Sequence, residues 1–157
     1  MIGYLKGTIT HLVTDHCFID VQGVGYRVFI PGATRQKLSI GKVSSLFTHM
    51  HVREDAILLY GFYTEDEYDL FLTLTSINGI SPKVAMEILS TIDTKQLYLA
   101  ISTKNIGMLT KLPGIGKKTA ERMLLELKDK IGPITDDGVT DLDVNVASGD
   151  IVEEGIQ

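Results

Sequence analysis

The sequence predicts an α+β protein, in which a five-stranded β-barrel of the OB type precedes an all-α domain with two helix-hairpin-helix motifs. Residues 1–63 show the apolar–polar alternation that is typical of strands, with turn signals between the segments. From residue 64 to residue 132 the apolar residues change to helical spacing. Within this part, two similar glycine-containing bends lie 35 residues apart, at Gly79 and Gly114. We therefore place the domain boundary between residues 63 and 64.

Five short segments of the first domain have the period or the apolar character of strands. They are residues 4–13, 17–21, 25–30, 44–52 and 56–62. Turn-forming residues separate them, and the longest connection, residues 31–41, joins the third strand to the fourth. Five strands within about sixty residues favour a small closed barrel of the OB type. An open meander sheet is the alternative that the pattern alone leaves.

N-cap candidates mark the starts of the helices in the second domain. They are Thr64, with Glu67 in the capping-box position, Ser81, followed by Pro82 at the first helical position, and Asp93 or Thr94. A short turn around residues 105–110 precedes a last helix, which extends from Lys117 to about Ile131. The sequence thus predicts one five-helix domain, residues 64–132, built from two related helix-hairpin-helix units.

The two bends connect helices and have related sequences. The first reads Ile77-Asn78-Gly79-Ile80-Ser81-Pro82-Lys83, and the second reads Leu112-Pro113-Gly114-Ile115-Gly116-Lys117-Lys118-Thr119. Each places lysine at the start of the following helix, where the helix dipole disfavours a cation by ~0.3–1 kcal/mol. Lysine at this unfavourable position in both bends indicates that an anion binds in front of both helices. Free N–H groups at a helix N-terminus bind phosphate, and glycine lets the ligand approach the backbone closely. We expect a paired site for a nucleic-acid backbone, with contacts that carry no sequence information.

The net charge of −5 comes from the end of the chain. Residues 133–157 contain seven acidic residues and no Lys or Arg, so residues 1–132 hold fifteen basic and thirteen acidic residues. The overall acidity therefore does not exclude a nucleic-acid partner for the two domains. Because residues 133–157 also lack aromatic residues and a sustained period, we predict an acidic flexible linker or tail there.

Little in the sequence supports catalysis, metal binding or membrane insertion. The second bend superficially resembles a P-loop, but Lys117 stands where a Walker A motif needs glycine, and both flanks are helical. His49 and His51 alternate on one predicted strand without further ligands, and Cys17 has apolar neighbours. We expect ordinary sheet and core residues, with no catalytic residue, no metal and no cofactor. No apolar segment approaches the ~18 residues of a membrane span, and the lone cysteine fits a reducing cytoplasm.

Arg53-Glu54-Asp55 lies between the fourth and fifth predicted strands. Acidic tips of this kind are normally solvated turns, and composition alone favours that interpretation. On a surface that faces DNA, the same carboxylates would repel phosphate and hold strands apart. The residues by themselves leave both interpretations open.

The order of small barrel, acidic tip and tandem hairpins resembles the bacterial RuvA family of Holliday-junction branch-migration proteins. The start Met1-Ile2-Gly3-Tyr4-Leu5-Lys6-Gly7 is similar to the start of the family. Val52-Arg53-Glu54-Asp55-Ala56, followed by Leu58-Leu59-Tyr60-Gly61-Phe62, is similar to its acidic-pin hairpin. Leu112-Pro113-Gly114-Ile115-Gly116-Lys117-Lys118-Thr119-Ala120-Glu121-Arg122 is similar to its second DNA-binding hairpin. The resemblance covers residues 1–132.

The resemblance implies a non-catalytic, structure-specific DNA-binding protein of the cytoplasm that acts in recombination, DNA repair and the SOS response. The barrels would form a homotetramer, with one or two tetramers on a four-way junction, and Glu54 and Asp55 would form an acidic pin near the fourfold axis. The implied phosphate contacts come from Gly79, Ser81, Lys83, Gly114, Gly116, Lys117 and Lys118. The implied partners are junction DNA, the ATPase motor RuvB and the resolvase RuvC.

Two features depart from the family pattern. Ser81 occupies the position of a second hairpin glycine, and because serine restricts the backbone we expect the first hairpin to bind less well. The family also carries a third, small helical domain that binds the motor, and this chain stops inside what resembles the preceding linker. We expect a shortened chain that lacks the motor-binding domain.

Two other functions are the alternatives. One is a generic helix-hairpin-helix adaptor that binds any duplex. The other is a helix-hairpin-helix glycosylase or nuclease, which needs a catalytic residue in a folded pocket beyond the hairpin. At the expected spacing that residue would be Asp136 or Asp137, in the predicted tail.

Overall fold

The computed structural model describes residues 1–131, so the predicted tail at residues 133–157 lies outside the described residues. Within this range, five strands and a short helix come first: β1 (Tyr4–Leu12), β2 (His16–Val21), β3 (Val24–Phe29), α1 (Gly32–Gln36), β4 (Val43–Val52) and β5 (Ile57–Phe62). Five helices follow: α2 (Glu65–Thr75), α3 (Pro82–Thr91), α4 (Thr94–Ser102), α5 (Ile106–Leu109) and α6 (Lys117–Ile131). The predicted α+β class is confirmed.

The strands close into a barrel in the order β1-β2-β3-β5-β4, with β4 pairing back to β1. Neighbouring strands are antiparallel except β3 and β5, which pair in parallel. A closed barrel satisfies the backbone groups that an open sheet leaves at its edges, and the open meander alternative is wrong. The interior is filled by the fully buried side chains of Ile9, Cys17, Ile19, Val28 and Leu46.

The helices begin where the sequence predicts. Thr64 caps α2, and its capping box is complete: the Glu67 N–H donates to Thr64 Oγ1 (3.2 Å), and the Thr64 N–H donates to Glu67 Oε1 (3.3 Å). Ser81 caps α3 with proline at the first helical position, and Asp93 caps α4. The five-helix prediction is confirmed for the described residues, although the predicted turn at residues 105–110 contains the short helix α5.

The connection between β3 and β4 contains a helix, α1, that the sequence pattern did not reveal. Its Thr34 side chain is buried and accepts a hydrogen bond from the Tyr63 N–H (2.9 Å). The Thr34 hydroxyl also donates to Glu67 Oε1 (3.3 Å), which receives the N–H and the hydroxyl of Thr64 as well. The buried Glu67 carboxylate therefore joins α1 to the start of α2, and the Thr34 hydroxyl joins α1 to Tyr63, the residue after β5.

One apolar core connects the barrel to the helices. Tyr60 and Phe62 of β5 contact Phe71 of α2, with ring centroids 5.2 and 4.9 Å apart. The same cluster continues through buried residues of α3, α4 and α6. The Gly32 N–H also donates to Ser90 Oγ (3.0 Å), which joins α1 to α3. Because close-packed interiors deform little, the helical hairpins are held at a set position relative to the barrel.

Candidate nucleic-acid interface

The two helical hairpins share one backbone geometry. Each contains a four-residue turn, residues 77–80 in the first hairpin and residues 112–115 in the second. The N–H of the last turn residue donates to the carbonyl of the first, at 3.1 Å and 3.2 Å respectively. The third turn residue is glycine in both, with φ of +103° at Gly79 and +72° at Gly114. Positive φ at this position is typical of type II turns, which explains why both turns need glycine.

The residues after the turns are not strained. Ser81 has φ of −79° and ψ of 164°, which is extended backbone. Serine therefore fits this position, and weaker binding by the first hairpin stays a prediction. Gly116, the equivalent residue, has no positive φ, and a Cβ added there would meet nothing within 4 Å. The fold does not require Gly116, and its missing side chain leaves open the space in front of α6.

Each hairpin packs against the helix that follows the other hairpin. A Cβ added to Gly79 would lie 3.4 Å from Thr119 Oγ1 of α6. One added to Gly114 would lie 3.2 Å from both methyl groups of Val84 in α3. Val84 and Thr119 are the third residues of their helices. The repeat predicted from the sequence is thus a pair of equivalent units in mutual contact.

Arg122 positions the first hairpin, a role that the sequence analysis missed. Its guanidinium Nη1 donates to the Asn78 carbonyl across 3.1 Å and so joins α6 to the turn. Arg122 is exposed, so its charge also lies beside this turn. The position of Arg122 on α6 predicts that it is a surface residue. It does not predict the contact with Asn78, because the two residues are 44 positions apart in the sequence.

Both hairpins present N–H groups that have no hydrogen-bond partner within residues 1–131. Ser81 Oγ accepts from the Val84 N–H (3.2 Å) in the first hairpin, whereas glycine at position 116 leaves the equivalent Thr119 N–H open. The open N–H groups are those of Asn78, Gly79, Ser81 and Lys83 at the first hairpin, and of Gly114, Gly116, Lys117, Lys118 and Thr119 at the second. The second hairpin therefore has the denser set of donors.

Lysine side chains surround these donors. Lys83, Lys117 and Lys118 are exposed, and none of them forms an ion pair with another described residue. The positive ends of the α3 and α6 dipoles add to their charge. An open cavity of about 600 Å³ lies at the first hairpin, lined by residues 75–81. The lysines and the open N–H groups together suit an anion with several acceptor oxygens, such as phosphate.

Residues 53–56, here called the acidic turn, connect β4 to β5. The Arg53 N–H donates to the Ala56 carbonyl (2.8 Å), and the Glu54 and Asp55 side chains are exposed. Arg53 Nε lies 3.5 Å from Asp55 Oδ1, a pairing that the sequence analysis did not foresee. Exposed pairs of this kind contribute only ~0.2–1 kcal/mol, so the turn keeps its acidic character, with Glu54 as its unpaired carboxylate among the described residues.

One groove, of about 620 Å³, connects the acidic turn to both hairpins. It lies between the barrel and the helical domain. Arg53 of the acidic turn, Lys83 beside the first hairpin and Pro113 of the second hairpin all line it. One residue from each of the three features that the sequence singled out therefore lines this groove.

The cysteine and the two histidines considered as catalytic or metal-binding candidates lie in the barrel. Cys17 is buried in the barrel, and burial raises the pKa of its thiol to about 11. His49 and His51 share a face, with ring centroids 6.4 Å apart; burial, and then the neighbouring His51, lower the pKa of His49. No group of three or more potential metal ligands occurs in the described part of the chain. None of its helices is both long and apolar enough to cross a bilayer.

Comparison with known proteins matches both domains. Residues 1–61 match the family model described as RuvA N terminal domain, and residues 71–129 match the SAM-like helix-hairpin-helix tandem. Three relatives are named Holliday junction branch migration complex subunit RuvA: those of Brevibacillus brevis (45% identical over 151 residues), Trichlorobacter lovleyi (51% over 134) and Mycolicibacterium smegmatis (41% over 153). The matches cover 96, 85 and 98% of this chain and 72, 67 and 78% of the relatives. The similarity thus includes both hairpins and the acidic turn.

Proposed function

This chain belongs to the RuvA family, and on that premise we propose that it binds four-way (Holliday) junctions and holds their arms open and square. It acts as a non-catalytic subunit, since it supplies shape and charge while ATP hydrolysis belongs to a partner. The observation that carries the proposal is the groove that Arg53 of the acidic turn, Lys83 at the start of α3 and Pro113 of the second hairpin line together. A bound duplex arm that contacts the hairpins would lead along this surface toward the acidic turn.

The hairpins bind the phosphates of the duplex arms. Free N–H groups occur at the starts of α3 and α6, and lysine charges there compensate the phosphate charge without selecting a base. Because each hairpin rests on the other's helix, two phosphates are bound at a set separation. The contacts are assigned to Gly79, Ser81, Lys83, Gly114, Gly116, Lys117 and Lys118.

The acidic turn acts by repulsion. In a fourfold assembly, four copies of Glu54 and Asp55 gather around the axis, where the strands exchange. Like charges in that position keep the phosphates from collapsing inward and disfavour a continuous duplex across the centre. The selectivity for a junction then comes from the acidic turn, and the affinity comes from the hairpins.

Exposed apolar pairs on the barrel support a homotetramer. Tyr4 of β1 and Phe47 of β4 are direct cross-strand partners, and both are exposed. Val52 and Ile57 are partners beside the acidic turn and are exposed as well. Exposed apolar surface of this kind marks protein interfaces. We assign it to contacts between copies of this chain, in one or two tetramers for each junction.

The remaining partners follow from the family. The relatives are named as subunits of a branch migration complex, which supports a partner that moves DNA through the junction. We assign that role to the ATPase RuvB. The resolvase RuvC is a second partner. The activity would serve recombination and DNA repair in the cytoplasm.

A gel-shift comparison of a four-way junction with a linear duplex of the same sequence tests the proposal. We expect tighter binding to the junction, and native mass spectrometry should show four chains or eight. Removing one phosphate contact with Lys117→Ala should reduce the slope of log affinity against log salt by about 0.9. Lys128→Ala is the matched control, because Lys128 is exposed on α6 roughly 16 Å farther along the helix.

Three outcomes would contradict the proposal. Equal affinity for junction and duplex, together with a monomeric mass, favours the generic duplex-binding adaptor. Cleavage of a labelled junction or of a damaged duplex favours the glycosylase or nuclease. Equal salt slopes for Lys117→Ala and Lys128→Ala would remove the hairpin lysine from the binding surface.

A further inference from the structure

The groove between the barrel and the helical domain has an interior that the phosphate contacts leave unused. Phe29, Leu58 and Met86 line it and are only half-buried, so part of their apolar surface is uncovered. Its volume of about 620 Å³ lies within the range of small-molecule sites, roughly 300–1,000 Å³. The groove is therefore large enough to enclose a planar ring, and its walls suit an apolar ring face.

Tyr60, a largely buried residue whose hydroxyl has no partner among the described residues, lines the same groove. Tyr60 is only 8% exposed, yet its hydroxyl forms no hydrogen bond with any residue between positions 1 and 131. Buried tyrosine hydroxyls usually find a partner, because an unmade hydrogen bond is costly. Burial raises the pKa of Tyr60, so the phenol is neutral near pH 7 and offers one donor and acceptor sites. The groove thus contains an unused hydrogen-bonding group.

Charged residues of both signs line the groove. Arg53 lines the groove near the acidic turn, and Lys83 lines it near the first hairpin. The acidic residues Asp15 and Glu87 also line the groove. The Asp15 carboxylate contacts His16 Nδ1 (2.7 Å), whereas Glu87 forms no ion pair with a described residue. A phosphate in the interior would meet these carboxylates. A neutral ring with amino and carbonyl edges would not be repelled, and its phosphates would lie near the two cations.

We propose that the groove receives one unpaired nucleobase from the crossover of a bound junction. The inference rests on the proposed function, because a strand that leads from the hairpins toward the acidic turn is what brings a base over the groove. Base pairs at a crossover separate and re-form as the branch point moves, so unpaired bases arise there. The apolar walls cover the ring, the Tyr60 hydroxyl binds its edge, and Arg53 and Lys83 neutralise the flanking phosphates. The groove would thereby hold open the pair nearest the acidic turn.

Three junctions that differ by one nucleotide at the crossover test this inference. The first is fully paired, the second carries one extra unpaired adenine, and the third carries an abasic residue in place of that adenine. The chain should bind the adenine junction about fivefold more tightly than the abasic one, in line with the usual contribution of one base contact. Tyr60→Phe, which keeps the ring and removes only the hydroxyl, should lower this ratio, while the part of the preference that comes from the apolar walls remains. Tyr63→Phe is the matched control, since Tyr63 is exposed and contacts Lys37 outside the groove.

A second variant fills the groove from its rim. Thr91 is exposed and lines the groove, so Thr91→Trp should abolish the preference for the adenine junction while thermal unfolding stays cooperative. Equal affinity of the unmodified chain for the adenine and abasic junctions would overturn the inference. A preference that neither Tyr60→Phe nor Thr91→Trp lowers would do the same. If the chain binds the paired junction but does not distinguish the adenine junction from the abasic one, only the proposed groove site is refuted. If it binds no junction at all, the proposed function is refuted as well.

Discussion

Replacing Gly114 by alanine tests whether the second hairpin depends on its left-handed backbone. Gly114 has φ of +72°, a region that costs an L-residue roughly 1–2 kcal/mol. The new Cβ would also lie 3.2 Å from both methyl groups of Val84, so the hairpin or α3 must shift by a few tenths of an ångström. Both effects act on the folded state, and we expect the free energy of unfolding to fall by at least about 1 kcal/mol.

The expected change is large enough to measure. For a chain of this length, 1 kcal/mol corresponds to a shift in Tm of roughly 2–4 °C, so the strain alone predicts a fall of roughly 2–8 °C. Thermal and urea denaturation should be compared at one protein concentration, because association makes Tm depend on concentration. An unchanged Tm for Gly114→Ala would refute the argument from backbone strain.

Gly116→Ala is the matched control in the same hairpin. Gly116 has no positive φ, and its added Cβ would meet no atom within 4 Å, so stability should stay within about 0.5 kcal/mol. The methyl group would nevertheless occupy open space beside the start of α6, where we propose that phosphate binds. Junction affinity should therefore fall without a fall in Tm. Equal loss of stability in both variants would show that glycine is needed at the two positions for the same reason.

Three other variants test the acidic turn, the contact between the hairpins and the barrel histidine. Glu54→Gln combined with Asp55→Asn should raise affinity for linear duplex and lower the preference for junctions in a gel shift, and an unchanged ratio would remove the proposed role of these carboxylates. Arg122→Ala removes the hydrogen bond to the Asn78 carbonyl, so the free energy of unfolding in urea should fall by roughly 0.5–1.5 kcal/mol. Junction affinity should fall as well. Equal effects of the control Lys128→Ala would contradict this role of Arg122. The pKa of His49 lies below 6.5 in the folded chain, so the unfolded chain takes up its proton first, and stability should be full above pH 6.5 and decline as the pH falls through that value. His49→Gln should flatten this decline in urea titrations, and an unchanged decline would contradict the assignment to His49.

Local signals in the sequence predicted most of the elements. The capping box of Thr64 and Glu67 and the Ser81-Pro82 pair act over three or four residues, so their meaning does not depend on the rest of the fold. The two glycine bends are also local, because a turn with positive φ needs glycine wherever it occurs. The strands were predicted within about two residues because alternation reports which face is buried.

Non-local contacts could not be predicted in this way. The helix α1 is short and depends on Thr34 reaching Tyr63 and Glu67, about thirty residues farther along the chain. The contact of Arg122 with Asn78 and the packing of each hairpin on the other's helix join segments that no periodicity relates. The groove is of the same kind, because its lining comes from the barrel and from the helices, and only their packing brings it into being.

The buried Glu67 carboxylate, which links α2 to α1 through the Thr34 hydroxyl, affects how this molecule accommodates DNA. With that linkage and the aromatic contacts of Phe71 beside it, the barrel and the helices have no obvious hinge between them. A junction arm that does not match the spacing of the hairpins must itself bend or untwist. The deformation energy then falls on the nucleic acid, so steps that deform easily, such as TA and CA, would be favoured near the crossover.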